Sequence, residues 1–192
     1  MTSVGILAVQ GAFREHEDVL SDMGAECFEI RRRTDLDRAF DAIVLPGGES
    51  TVMGKLLRDL GMFDPLRAAV LGGTPVLGTC AGMILLAREV EGGASHLATM
   101  PVSVRRNAYG RQLGSFSSEG EFLGRRIPLE FIRAPAVTSV GEGTEVLCTC
   151  GGVPVAVRYG NQMATSFHPE LTSDRTVHAA FLGMARRSAT KA

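Results

Sequence analysis

Pro75-Val76-Leu77-Gly78-Thr79-Cys80-Ala81-Gly82 passes from an apolar run into a glycine-flanked cysteine and then into a helical pattern, Ala81 to Glu89. A short apolar run bounded by turn residues reads as a strand, Pro75 to Gly78, covered on both faces. Gly78 and Gly82 remove side chains where so tight a strand-to-helix turn would clash. The thiol is thereby lifted off the strand end, in the manner of a nucleophile elbow with cysteine in the serine position. A lone cysteine is more often a small buried hydrophobe, and it is these neighbours that reverse the odds. The helix start aims free N–H groups and a partial positive charge at the sulfur, which favours a thiolate. The N–H of Ala81 is placed to hold an oxyanion.

The same texture extends towards the N-terminus. Val4 to Val9, Cys27 to Ile30 and Ala42 to Leu45 read as further strands. Arg14 to Met23, Thr51 to Leu60 and Phe63 to Leu71 read as helices, the first closed by Gly24. Repeating βα units predict an α/β fold, with a mostly parallel central sheet and helices on both faces. In such sheets ligands sit beyond the carboxyl ends of strands. Gln10, the turn Pro46-Gly47-Gly48-Glu49-Ser50 and Cys80 all fall at such ends, so one site is expected there.

The second half differs. Val102 to Arg105, Ile127 to Ile132, Glu145 to Cys150 and Val153 to Arg158 look like strands, with Cys150-Gly151-Gly152-Val153 a hairpin turn. Met163 to Phe167 reads as a last strand delivering His168, and Thr176 to Arg187 as a closing amphipathic helix. The Gly- and Ser-rich span 107–126 is expected to be a loop insertion. With no internal repeat or linker, residues 1–192 are read as a single domain.

A net charge of −1 offers no attraction for nucleic acid or an anionic membrane. The run Arg31-Arg32-Arg33 is followed by Asp35 and Asp37 and reads as a solvated loop or helix start. No apolar stretch approaches the roughly 20 residues of a membrane span. Four cysteines lack the density of a disulfide framework, so a reducing cytoplasm is expected. Cys148 and Cys150 are spaced too closely for the usual zinc pair, and both thiols are expected to pack into one side of a sheet.

His168 is followed two residues later by Glu170. If the last strand ends beside Cys80, His168 can take the thiol proton and later protonate an amine leaving group, with Glu170 holding the imidazole. His16, among charges on the first helix, His96 in a polar loop and His178 in the closing helix fit that role less well. The Pro46–Ser50 turn could be only a turn and a helix cap at Ser50. Its adjacent glycines also let backbone approach a ligand, and the N–H groups of Gly47 and Gly48 could complete an oxyanion site.

VGILAVQGAFREH, LPGGEST, GTCAGM, RRNAYGRQ, FIRAP and ATSFHPELT occur in that order. Together they resemble the class I glutamine amidotransferases, and within them the glutaminase subunits of pyridoxal 5′-phosphate synthase. The resemblance covers nearly the whole chain. It implies a flavodoxin-like three-layer fold and a triad of Cys80, His168 and Glu170. It places Gly48, Glu49, Ser50, Arg106, Ile132 and Arg133 at the L-glutamine site, and Gln10 near the oxyanion site or a subunit interface. It implies hydrolysis of glutamine to glutamate and ammonia without metal or organic cofactor. The ammonia would pass to a (β/α)₈-barrel synthase subunit in a large hetero-oligomer, with no role for nucleic acid or membrane. Arg106 and Arg133 suit a ligand bearing an α-carboxylate. A glutaminase serving another synthase, a free-standing γ-glutamyl hydrolase and a non-catalytic elbow-cysteine sensor are the rival readings.

Overall fold

Val4 and Ile6 are fully buried on one side of the first strand and Leu7 on the other. A strand patterned in this way must be covered on both faces. The computed structural model describes residues 1–108 and 114–190. Its elements in chain order begin β1 (Ser3–Leu7), α1 (Phe13–Asp22), β2 (Glu26–Ile30), β3 (Ala42–Leu45), α2 (Ser50–Asp59), α3 (Phe63–Leu71), β4 (Val76–Thr79) and α4 (Ala81–Leu86). There follow β5 (Ala87–Glu91), β6 (Met100–Arg105), β7 (Ser115–Phe122), β8 (Arg125–Ile132), β9 (Ala136–Val140), β10 (Glu145–Cys150), β11 (Val153–Tyr159), β12 (Gln162–Thr165) and α5 (Thr176–Ala189).

Among the described residues the central sheet has seven strands in the order β10-β11-β12-β4-β3-β1-β2. The pairs β1–β2, β1–β3, β3–β4 and β4–β12 are parallel, and β10–β11–β12 form an antiparallel edge. This is the expected α/β architecture. Alternate residues divide the core. Ile43, Leu45 and Val76 face α2, α3, α4 and the small sheet β5-β6-β9. Ala42, Val44 and Leu77 face α1, α5 and the β7–β8 hairpin.

Three local expectations are corrected. The helix that starts at Ala81 stops at Leu86, and Ala87–Glu91 is strand β5, paired in parallel with β6. Here sheet pairing overrides the helical propensity of Ala87-Arg88-Glu89. The span 107–126 is not a loop insertion. It contains β7, joined to β8 from Ser115↔Ile132 to Phe122↔Arg125, while residues 109–113, which carry part of the RRNAYGRQ segment, lie outside the described residues. Strand β9, pairing antiparallel with β6, was not anticipated.

The three arginines behave as expected at a solvated turn, Arg32 pairing with Asp35 and Arg33 with Asp37. Cys148 is buried and Cys150 half-buried, both against the same side of the core. Burial, with Cys150 and Glu121 nearby, pushes the Cys148 thiol up to about 11. No helix among the described residues is long and apolar enough to cross a membrane.

Candidate active site

Cys80 follows the last residue of β4 and caps α4 with φ 48° and ψ −99°. A left-handed cysteine is strained, and strain of this kind gathers where function over-determines the backbone. The turn closes because a Cβ on Gly78 would come within 2.8 Å of the Gly82 carbonyl carbon. Of the other four described non-glycine residues with positive φ, Asn107 and Arg133 line the same cavity as Cys80, of about 200 Å³, and Ala98 and Leu123 do not. That volume suits an amino-acid-sized ligand.

The cavity is walled by Gly47, Gly48, Glu49, Ser50, Cys80, Arg106, Ile132, Arg133 and His168 from the expected set. Gly11, Ala12, Ile84 and Asn107 complete it. Gln10, Ala81 and Glu170 stand behind this wall. Gln10 Oε1 accepts the Glu49 N–H at 2.8 Å, and a Cβ on Gly48 would lie 2.5 Å from the same oxygen. Ala12 N–H donates to Gly47 O at 2.9 Å, and a Cβ at Gly47 would run into the His168 ring. The glycines of this turn thus serve close packing as well as freedom of rotation.

Helix α2 begins at Ser50, and its cap is Glu49, whose carboxylate accepts the Thr51 N–H at 3.3 Å. Ser50 is therefore not the cap; its buried hydroxyl has no hydrogen-bond partner and adjoins the cavity. Arg106 is already engaged. Its guanidinium donates to Glu49 Oε1 at 2.6 Å and to Thr51 Oγ1 at 2.9 Å. Among the described residues nothing pairs with the guanidinium of Arg133, whose backbone N–H donates to Gly114 O at 2.6 Å.

Strand β12 lies beside β4, with Thr165 opposite Thr79, and the Cys80 N–H donates to Thr165 O at 2.8 Å. Three residues further on, His168 reaches the cavity. Its Nδ1 lies 2.7 Å from Glu170 Oε1, on the short turn Pro169–Leu171. Burial opposes the charge on His168, but hydrogen bonds to Cys80 and Glu170 outweigh it and raise the imidazole to about 10. Burial likewise works against ionised Glu170, and His16 and His168 beside it hold the carboxyl below its ordinary value. The imidazole thus keeps its proton at neutral pH, with the Glu170 carboxylate on one side and the cavity that Cys80 lines on the other, while the Cys80 thiol donates to Ile132 O at 3.7 Å.

His16 and His178, which fit the role of base less well, do not line the cavity, and both are fully buried on the Glu170 side of the triad. The available signal was helical phase. His16 leads the apolar positions Val19 and Leu20, and His178 leads Phe181 and Leu182, so each faces inward despite charged neighbours. Burial, then the proximity of His16, lowers His178 to about 3. Between about 6.5 and 3 the unfolded chain binds the additional proton, so stability falls as the solution is acidified. His178 alone should remove on the order of 2 kcal/mol between pH 7 and 4.5. His16, lowered chiefly by burial, acts in the same direction. Urea midpoints at the two pH values test this, and a midpoint that does not fall would show that the pair is not held neutral.

The family model described as the SNO glutamine amidotransferase family matches residues 6–187. A protein of Desulfitobacterium hafniense (strain Y51) named pyridoxal 5′-phosphate synthase subunit PdxT is 56% identical, covering 93% of this chain and 91% of its own. A protein of the same name from Methanocorpusculum labreanum is 54% identical over 94% and 96%. A crystal structure described as a glutamine amidotransferase superposes with a TM-score of 0.91 at 45% identity, covering 95% of this chain and 98% of the other. A family match along almost the full length, joined by relatives sharing more than half their residues, makes the chain a member of the SNO glutamine amidotransferase family.

Proposed function

We propose that this protein is the glutaminase subunit of a pyridoxal 5′-phosphate synthase, its whole chain forming one glutaminase domain. The observation that carries the reading is the meeting of Cys80, His168 and the Gly47-Gly48 turn at one cavity, with Glu170 bound to the far side of the imidazole. The PdxT names of the relatives supply the pathway.

In this reading the Cys80 thiolate attacks the side-chain carboxamide carbon of L-glutamine. Negative charge moves to the carboxamide oxygen, where the N–H groups of Ala81 and the Gly47-Gly48 turn stabilise it. The His168 imidazolium gives its proton to the nitrogen, the C–N bond breaks and ammonia leaves. A γ-glutamyl thioester remains on Cys80. His168, now neutral, takes a proton from water as the hydroxyl adds to the thioester, and glutamate departs as the thiolate is restored. The residues at hand are sufficient for this sequence, and no metal or organic cofactor is assigned. Glu49, Ser50, Arg106, Ile132 and Arg133 hold the substrate's amino-acid end, with Arg133 the guanidinium open to an α-carboxylate.

The ammonia passes to a (β/α)₈-barrel synthase subunit, which joins it to ribose 5-phosphate and glyceraldehyde 3-phosphate. Docking of that subunit switches the glutaminase on through rotation of the Gly47-Gly48 peptide, a motion that breaks the Ala12 N–H to Gly47 O bond. Glutamate release should rise at least about tenfold when the barrel subunit is added, equivalent to about 1.4 kcal/mol. Nitrogen from labelled glutamine should appear in pyridoxal phosphate. An isolated chain as fast as the complex would sink the gating idea, and hydrolysis without transfer would point to a free-standing hydrolase.

A further inference from the structure

Behind the proposed triad lies a second row of polar groups with no part in the steps above. His16 from α1, His178 from α5, Thr79 at the end of β4 and the outer oxygen of Glu170 meet in the core. His16 Nε2 is 3.3 Å from Glu170 Oε2 and 3.1 Å from Thr79 Oγ1. His16 Nδ1 is 3.0 Å from His178 Nε2. Glu170 Oε1 is committed to His168, whereas Oε2 is buried without a hydrogen bond, and His16 Nε2 stands 3.3 Å from it.

Resting on the glutaminase reading, we infer that His16 is a positioning residue, its neutral imidazole donating from Nε2 to Glu170 Oε2 so that the carboxylate keeps one orientation towards His168. A carboxylate can only accept, so Nε2 of His16 must carry the hydrogen. Nδ1 of His16 then accepts, and His178 must donate from its Nε2. This leaves His178 Nδ1 as the bare nitrogen, and it is buried without a partner. This tautomer accounts for the contact between the two histidines and leaves the Nε2 hydrogen between Thr79 Oγ1 and Glu170 Oε2.

The arrangement matters because a buried carboxylate anchored through one oxygen retains freedom to rotate and is poorly solvated. A second, charge-assisted hydrogen bond removes both defects. A neutral donor does so without drawing the negative charge away from the imidazolium. The surrounding charges are few. Glu15 adjoins His16 on α1, His168 and Glu170 face it from the triad side, and Arg175 stands near His178. Burial keeps both inner histidines below their ordinary range.

The paired variants His16→Gln and His16→Asn separate this role from packing. A glutamine amide reaches the position of Nε2 and can still donate to Glu170. An asparagine reaches only the position of Nδ1, keeping the His178 contact and losing the carboxylate. With the synthase subunit present, His16→Asn should lower kcat about tenfold or more while KM stays within about twofold, and His16→Gln should stay within about threefold of wild type. Alkylation of Cys80 by iodoacetamide, followed by peptide mass spectrometry, should slow in the same order. Equal losses in the two variants, or unchanged kcat in His16→Asn, overturn the proposal. If His16→Asn does not fold, His178→Leu against His178→Gln poses the same question, and only the leucine variant should lose kcat; equal values overturn it. Should the wild-type complex release no glutamate, the glutaminase reading fails, while the alkylation contrast still decides the His16 contact.

Discussion

Cys80→Ala should abolish glutamine hydrolysis, with a loss of at least about 10⁴-fold in kcat even when the synthase subunit is present. No other thiol can replace it. Cys27, Cys148 and Cys150 do not line the cavity, and burial raises both Cys27 and Cys148. The substitution leaves the backbone alone, since alanine and cysteine bear the same left-handed conformation at φ 48°. Loss of activity with an unchanged melting temperature therefore reports chemistry and not folding. Glutamate release in the assembled complex is the measurement, and a variant turning over at the wild-type rate would remove Cys80 from the mechanism.

Gly82→Ala attacks the same elbow from behind and should cost at least about 3 kcal/mol of stability, at the upper end for added core volume. A Cβ there would overlap the Leu45 carbonyl oxygen and sit 2.8 Å from the Leu45 carbonyl carbon. Both obstacles are backbone atoms of β3, against which α4 packs, so no side-chain rotation relieves them. Gly24→Ala and Gly61→Ala are the useful contrasts. A Cβ at either site meets nothing, and the cost is confined to the positive φ values of 82° and 65°. Denaturant unfolding of the three variants should place Gly82→Ala well below the others. Equal midpoints would mean that α4 can move away from β3 without penalty.

Much of this was legible in the sequence for physical reasons. Strands β1, β3 and β4 are buried on both faces and therefore read as apolar runs, and the residues following them fell together as parallel topology requires. The β7–β8 hairpin escaped because β7 is half exposed along most of its length and carries serines and glutamates in place of apolar alternation. Strand β5 escaped because Ala87-Arg88-Glu89 is good helix sequence, and only its pairing with β6 settles the matter. His16 escaped because its acidic neighbours in sequence suggest a solvated face, while its ring turns inward to Thr79, Glu170 and His178. Arg106 was placed at the site only by the family resemblance, and its ion pair with Glu49 depends on a contact across 57 positions, which no local pattern encodes.

The placement of β12 between β4 and β11 has a bearing on how the protein is made. Cys80 is synthesised early, at the end of a strand whose partner β3 is already available. Its imidazole arrives only after β12 is threaded beside β4, and the Cys80 N–H waits for Thr165 O until then. Such long-range pairing is slow to form. A nascent or half-folded chain consequently exposes an ordinary cysteine, not an activated one, and reactivity appears only with completion of the sheet.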